Sequence, residues 1–242
     1  MRRVRALFSR SLSTVLGWMA TFSPRIAFLV TDALAVMLSL GSRRYPLRRN
    51  WTNYARTLLL SGWTRGAGRT AIHKLVRENE AVRRLRPPMI VATFHIGPIL
   101  GLGVLSDRLQ GETLSLRGTL IGGTDQQRAA TFHRAIERLR QNGFVILALD
   151  PHEAHRIAAP FLGRTLQLAR GPFAMARNAR APIVPLVARW DGREIELIVG
   201  EPLPLLDDEQ ALAAAAAQWL ENYLREWPGE LSARILELTR DA

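Results

Sequence analysis

The sequence predicts an α/β fold, a mostly parallel sheet with helices on both faces, preceded by N-terminal apolar helices. Two observations carry the fold class. From Met89 onward, short runs that are apolar at nearly every position, such as "MIVATF" and "FVILALD", alternate with longer segments of helical period. Continuous apolar runs suit strands buried on both faces, which is the state of parallel strands covered by helices. The chain has 242 residues of which 48% are hydrophobic, enough for one substantial core with an appendage. The division read from the pattern is a membrane-associating helical leader over 1–45 and an α/β domain over 46–242.

The leader stands apart by charge. Its first fifty residues hold nine arginines against one acid, Asp32, around the runs "LSTVLGWMATFS" and "IAFLVTDALAVMLSLG". Each run is shorter than the ~20 residues a bilayer-spanning helix needs, and Pro24 separates them. The favoured reading is a pair of helices lying in the membrane interface, apolar faces down and arginines at the headgroups. A single tilted span, a cleavable signal peptide and two ordinary core helices are the competing readings.

From "NWTNYARTLLLSGW" through "TAIHKLVRENEAVRRL" the spacing is helical, and Pro87-Pro88 ends it. "MIVATF" reads as a strand, "GPILGLGVLSDRL" as a helix and "TLSLRGTL" as a short strand. A polar helix follows, capped by Thr124 and stopped by Gly143. Next come the strand "FVILALD", the helix "GPFAMARNAR", the strand "APIVPLVARW" and the alternating strand "REIELIVG". Residues 208–226 form a long amphipathic helix, and Pro228 separates it from a last one.

Charge and missing residue types narrow the chemistry. The net charge is +12, and only Lys74 among the 33 basic residues is a lysine. Arginine forks suit phosphate and carboxylate, so anionic lipid, nucleic acid or an acidic protein are the partners charge alone suggests. The basic residues are dispersed, aromatics make up only 7%, and no nucleic-acid motif is present, so nucleic acid is set aside. Without cysteine there is no thiolate nucleophile and no Cys-based zinc site, leaving His, carboxylate, hydroxyl or Arg for catalysis.

In open α/β sheets, ligands gather at the carboxyl ends of strands. His95 and Asp150 each follow an apolar strand directly, so both could point into one cleft. His95 there is a general base, a metal ligand or a structural imidazole. Asp150 is a partner for His or Arg, or else a turn residue before Pro151. The cluster Asp150, His152, Glu153 and His155 invites a metal reading, but its spacing is not that of a helical zinc pair. Gly101 and Gly103 are only a fragment of a dinucleotide fingerprint.

The blocks "FHIGPILGL", "FVILALDPHEAHRIAAPFLGRTLQLARGPFAMARNARAPIVPLVAR", "GEPL" and "WLENYLREWPGEL" resemble successive blocks of the bacterial lipid A biosynthesis (lauroyl/myristoyl) acyltransferase family, within the lysophospholipid acyltransferase superfamily. The resemblance covers about Arg49 to Leu231. It implies transfer of a fatty acyl chain from an acyl carrier protein or coenzyme A thioester to a hydroxyl of a membrane (glyco)lipid. It also implies a place on the cytoplasmic face of the bacterial inner membrane, peripheral or with one N-terminal anchor, and no metal or redox cofactor. The family motif is His, four residues, then Asp or Glu, with the acid orienting the basic imidazole. His95 matches the histidine, whereas Leu100 stands where the acid belongs. Asp150 or Glu153 then supplies the carboxylate through space, or turnover is weakened, or the chain is a catalytically impaired lipid-binding homologue. The resemblance further implies Arg117 and Arg164 as anion-binding groups, with Gly163 and Glu153 on the substrate-binding side.

Overall fold

Strand β1 (Met89–Thr93) is apolar at four of its five positions and buried at all five, and this places it in the middle of a sheet. In the computed structural model, which describes residues 2–41, 48–67, 70–77, 79–109, 124–150 and 155–239, it lies between two parallel neighbours. These are β2 (Phe144–Ala148), in register Val91↔Ile146, and β5 (Ile183–Asp191), in register Val91↔Val184. A fourth strand, β6 (Glu194–Val199), returns antiparallel on β5, giving the order β2-β1-β5-β6. The sheet is therefore mixed but mostly parallel, as the apolar runs predict. Strands β3 (Arg156–Phe161) and β4 (Arg164–Ala169) form a separate antiparallel hairpin that the sequence reading does not contain.

The pleat sends alternate residues to two cores. Ile90, Ala92, Val145, Leu147 and Ile183 pack under α7 (Asp125–Arg140), α8 (Gly171–Ala179) and α9 (Glu209–Glu226). Met89, Val91, Phe144, Val184 and Leu186 face Leu16, Phe28, Leu59 and Trp63 on the other side. Each fully buried Leu, Ile or Phe contributes about 1.5–3 kcal/mol relative to exposure, so both faces need a cover. Helix α9 buries Leu212, Ala213, Ala216, Ala217, Leu220 and Leu224, the i, i+3, i+4 pattern of a core stripe. Asp208 caps its start by accepting from the Gln210 N–H at 2.8 Å. Thr124 and Gln127 form a reciprocal capping box on α7, as the sequence predicts for Thr124.

The N-terminal runs fold as α1 (Arg2–Phe22) and α2 (Pro24–Gly41), both packed on α3 (Arg48–Ala67). Gly17 meets Gly62 so closely that a Cβ on Gly62 would lie 1.6 Å from the Ser13 carbonyl oxygen. Asp32, the acid inside the second apolar run, receives Arg56 at 2.9 and 3.0 Å. Leu16, Ala20, Ala27 and Phe28 share one core with the sheet. No helix among the described residues is long and apolar enough to cross a membrane. The outer faces of α1 and α2 nevertheless expose Val15, Trp18, Phe22, Ile26, Leu29, Met37 and Leu40.

The helical region after α3 is broken into α4 (Thr70–His73) and α5 (Glu80–Arg83), with Val76 bridging to Ile195 between them. The helix expected from Gly97 begins later, as a 3-10 turn over Ile99–Leu102, and continues as α6 (Gly103–Arg108). The strand expected in "TLSLRGTL" lies outside the described residues. The last helix, α10 (Ala233–Leu238), follows a 3-10 turn over Pro228–Glu230.

Candidate active site

His95 sits where β1 ends, between two residues that anchor inward. Phe94 is fully buried and stacks on Trp219, and Ile96 is 1% exposed. The Ile96 N–H donates to the Phe94 carbonyl at 2.8 Å, a three-residue turn centred on His95. With both neighbours turned in, the imidazole is turned out, its side chain 41% exposed. Gly97 completes the turn at φ +58°, and a Cβ there would lie 2.0 Å from the Ala188 carbonyl oxygen. Only glycine fits that position.

Asp150 reaches the same place from the neighbouring strand. The parallel register pairs Thr93 with Ala148, and the Leu149 N–H continues the ladder to the Thr93 carbonyl at 2.8 Å. Two residues past each strand end, His95 and Asp150 meet. The Asp150 carboxylate is fully buried, and both its oxygens accept from the His95 backbone N–H at 3.0 Å. Oδ1 is also 2.8 Å from Nδ1 of the ring. A carboxylate accepts, so Nδ1 is the donor in this contact, and in the neutral ring Nε2 is then the basic nitrogen.

The ring borders a cavity of about 150 Å³ lined by Asn50, Asn53, Tyr54, Glu230 and Ser232 among others. Its wall is clamped. Asn50 donates to the carbonyls of Gly229 (2.7 Å) and Leu231 (3.1 Å), and Asn53 donates to that of Gly229 (3.1 Å). Glu230 is buried beside them. The Arg189 guanidinium lies 3.7 Å over the Trp227 ring at the start of this segment and pairs with Glu196, which Arg77 also engages at 2.7 Å. Burial would push the Glu196 carboxyl up, but the hydrogen bonds and charges of Arg189 and Arg77 hold it below its ordinary range.

Of the residues singled out in the sequence, the structure brings His95 and Asp150 together. Leu100 belongs to the 3-10 turn and packs, partly buried, on the core that holds Val76 and Ile195. Arg117 and Glu153 lie outside the described residues, as does His152 of the suggested metal cluster. No group of three or more metal-ligating side chains occurs among the described residues. Gly163 and Arg164 form the tip of the β3–β4 hairpin, where Leu162 (φ 49°) and Gly163 (φ 72°) make the turn. The other end of that hairpin touches Asp150's neighbour, through the Ala169 N–H on the Leu149 carbonyl. At ~3.3 Å per residue the tip is roughly 16 Å along the hairpin from that end.

Sequence reasoning missed Asn50, Asn53, Tyr54, Glu230 and Ser232. The available signal was a pair of asparagines, Asn50 and Asn53, three apart near the start of α3 and so on one face of that helix. No known family model matches the chain, and no characterised protein matches it in sequence.

Proposed function

We propose that this chain is an O-acyltransferase that moves a fatty acyl group from an acyl carrier protein or coenzyme A thioester to a hydroxyl of a membrane (glyco)lipid. The observation that carries the reading is the 2.8 Å contact of His95 Nδ1 with buried Asp150, beside an exposed ring on a pocket. The resemblance of the blocks around His95 and Asp150 to lipid A acyltransferases supplies the reaction class. Asp150 takes the part of the acid that Leu100 cannot play.

His95 Nε2 accepts the proton of the acceptor hydroxyl while its oxygen attacks the thioester carbonyl carbon. The tetrahedral intermediate then expels the thiolate, which recovers the proton from Nε2 and leaves the ester behind. Asp150 keeps the ring in the tautomer this needs and stabilises the transient imidazolium. The only co-substrate in this scheme is the thioester. An amide, hydroxyl and carboxylate lining beside the ring favours uncharged hydroxyls of the acceptor over its phosphates.

The exposed apolar face of α1 and α2 supports a peripheral position on the inner membrane's cytoplasmic face, and the +12 charge favours anionic lipid and an acidic carrier protein. The test is mass spectrometry of lipids from membranes carrying wild type or His95→Ala. A new acylated lipid made by wild type and absent with His95→Ala is the expected result. No product from several thioester donors, with membrane binding intact, replaces the reading by a lipid-binding one, which Leu100 favours.

A further inference from the structure

The carboxylate of Asp150 is held by His95, but its main chain is held from elsewhere. The β1–β2 ladder pairs strand residues only as far as Ala148, and it continues past them with the Leu149 N–H on the Thr93 carbonyl. After Asp150 comes Pro151, which has no N–H to extend a ladder. At this point a residue 84 positions away takes over. Arg234, in the first turn of α10, donates from both Nε and Nη2 to the Asp150 carbonyl oxygen, each at 3.0 Å. Its side chain is only 15% exposed, and a guanidinium is tolerated at that burial where its donors are occupied.

Two bonds from one rigid fork to one carbonyl fix orientation as well as distance, which a flexible ammonium cannot do. The carbonyl belongs to the residue whose side chain sets the ring of His95. A displacement of the Asp150 main chain would therefore carry the carboxylate away from both His95 nitrogens. The same segment bears the pocket wall: Ser232 caps α10 by accepting from the Ile235 N–H at 3.3 Å, and Leu231 is clasped by Asn50. One short stretch thus joins the wall of the pocket to the acid of the dyad.

We propose that Arg234 is a positioning residue of this site, acting on His95 through Asp150. Its kinetic consequence rests on the acyl-transfer reading, whereas its effect on the ring does not. The test uses the full chain as wild type, Arg234→Met, Arg234→Lys, Asp150→Asn and the double variant Arg234→Met/Asp150→Asn.

The first readout is the ring-nitrogen NMR of His95 without substrate, which needs no turnover. Wild type is expected to hold a single Nδ1–H tautomer, Arg234→Met a mixture, and Arg234→Lys a state in between. The second is steady-state kinetics. Displacements of about 1 Å can cost ~10²-fold, so Arg234→Met is expected to lower kcat by about that factor with KM within about twofold. In the double variant the two losses do not multiply, because both act on one contact. If Arg234→Met fails to fold, Arg234→Lys carries both readouts. An unchanged tautomer in a folded variant overturns the inference even where stability falls, as do losses that multiply fully. An absence of acyl transfer in wild type would overturn the proposed function and leave the NMR result to decide this one.

Discussion

The Asp150 carboxylate grips His95 twice, at the backbone nitrogen with both oxygens (3.0 Å each) and at ring Nδ1 with one (2.8 Å). Backbone turn and ring orientation therefore depend on one buried side chain, which lies two residues past the end of the adjacent strand. Asp150→Asn keeps the volume but gives the group an amide donor, which favours the wrong tautomer. By analogy with serine-hydrolase triads, kcat for acyl transfer should fall by about 10⁴. Initial rates on protein of unchanged circular dichroism check this, and a loss under about tenfold would reject Asp150 as the orienting acid.

Leu100 is a packing residue, so an acid placed there should not raise acyl transfer. Leu100→Asp sets a carboxylate among Ile99, Leu102 and the core around them. Placing a polar group there costs about 1–3 kcal/mol, read as a lower thermal midpoint. Acyl-transfer rates at or below wild type are expected. A clear gain in kcat would show that position 100 can reach the ring.

The approach of Gly17 to Gly62 joins α1 to α3 backbone against backbone. Gly62→Ala puts a methyl 1.6 Å from the Ser13 carbonyl oxygen, so the helices must separate. Overpacking of this kind costs about 1–3 kcal/mol. A lowered thermal midpoint and faster proteolytic loss of α1 are expected. An unaltered midpoint would mean that α1 contributes little to the core.

The pairing of His95 with Asp150 was within reach of the sequence because it follows from strand ends. Two continuous apolar runs implied parallel neighbours, and residues just past the ends of such strands share one edge of a sheet. The β3–β4 hairpin was not legible. Its residues "RIAAPF" and "RTLQLA" alternate weakly, and its turn is Leu162-Gly163, where the first residue carries no turn signal. Arg234 was illegible for another reason. It is one arginine among many, and nothing local distinguishes the one that folds back 84 positions onto Asp150. The leader divided by charge from the rest of the chain, yet Asp32–Arg56 and the shared core tie its helices to α3, contacts that only tertiary structure reveals.

Trp18 and Phe22 stand edge to face at 4.8 Å on the outer side of α1, 66% and 74% exposed. Burying such a ring in the headgroup region recovers part of the roughly 1.5–3 kcal/mol that full burial contributes. Trp18→Ser with Phe22→Ser should weaken binding to anionic vesicles by at least about tenfold, since ~1.4 kcal/mol is a factor of ten. The thermal midpoint should hold, because exposed side chains lose little packing. Cosedimentation with vesicles measures the first, and equal binding by wild type and variant would remove this face as the membrane contact.

Glu196 ties the network behind the pocket to pH. Burial opposes its charge, but Arg189 and Arg77 prevail and its carboxyl lies below the ordinary value of 4.5 in the folded protein. In the unfolded chain the carboxyl returns to about that value, so the unfolded state binds the proton more readily. The network's stabilisation is then complete above pH ~4.5 and is lost as pH falls through the lower folded value. Glu196→Gln removes the titration, so its thermal midpoint should lie below wild type at neutral pH and fall less steeply in acid. Because Arg189 also covers Trp227, the variant should loosen the segment bearing Gly229 and Glu230. Hydrogen exchange over residues 227–232 reads this directly. Unchanged protection there, with parallel acid profiles for wild type and variant, would separate the network from the pocket.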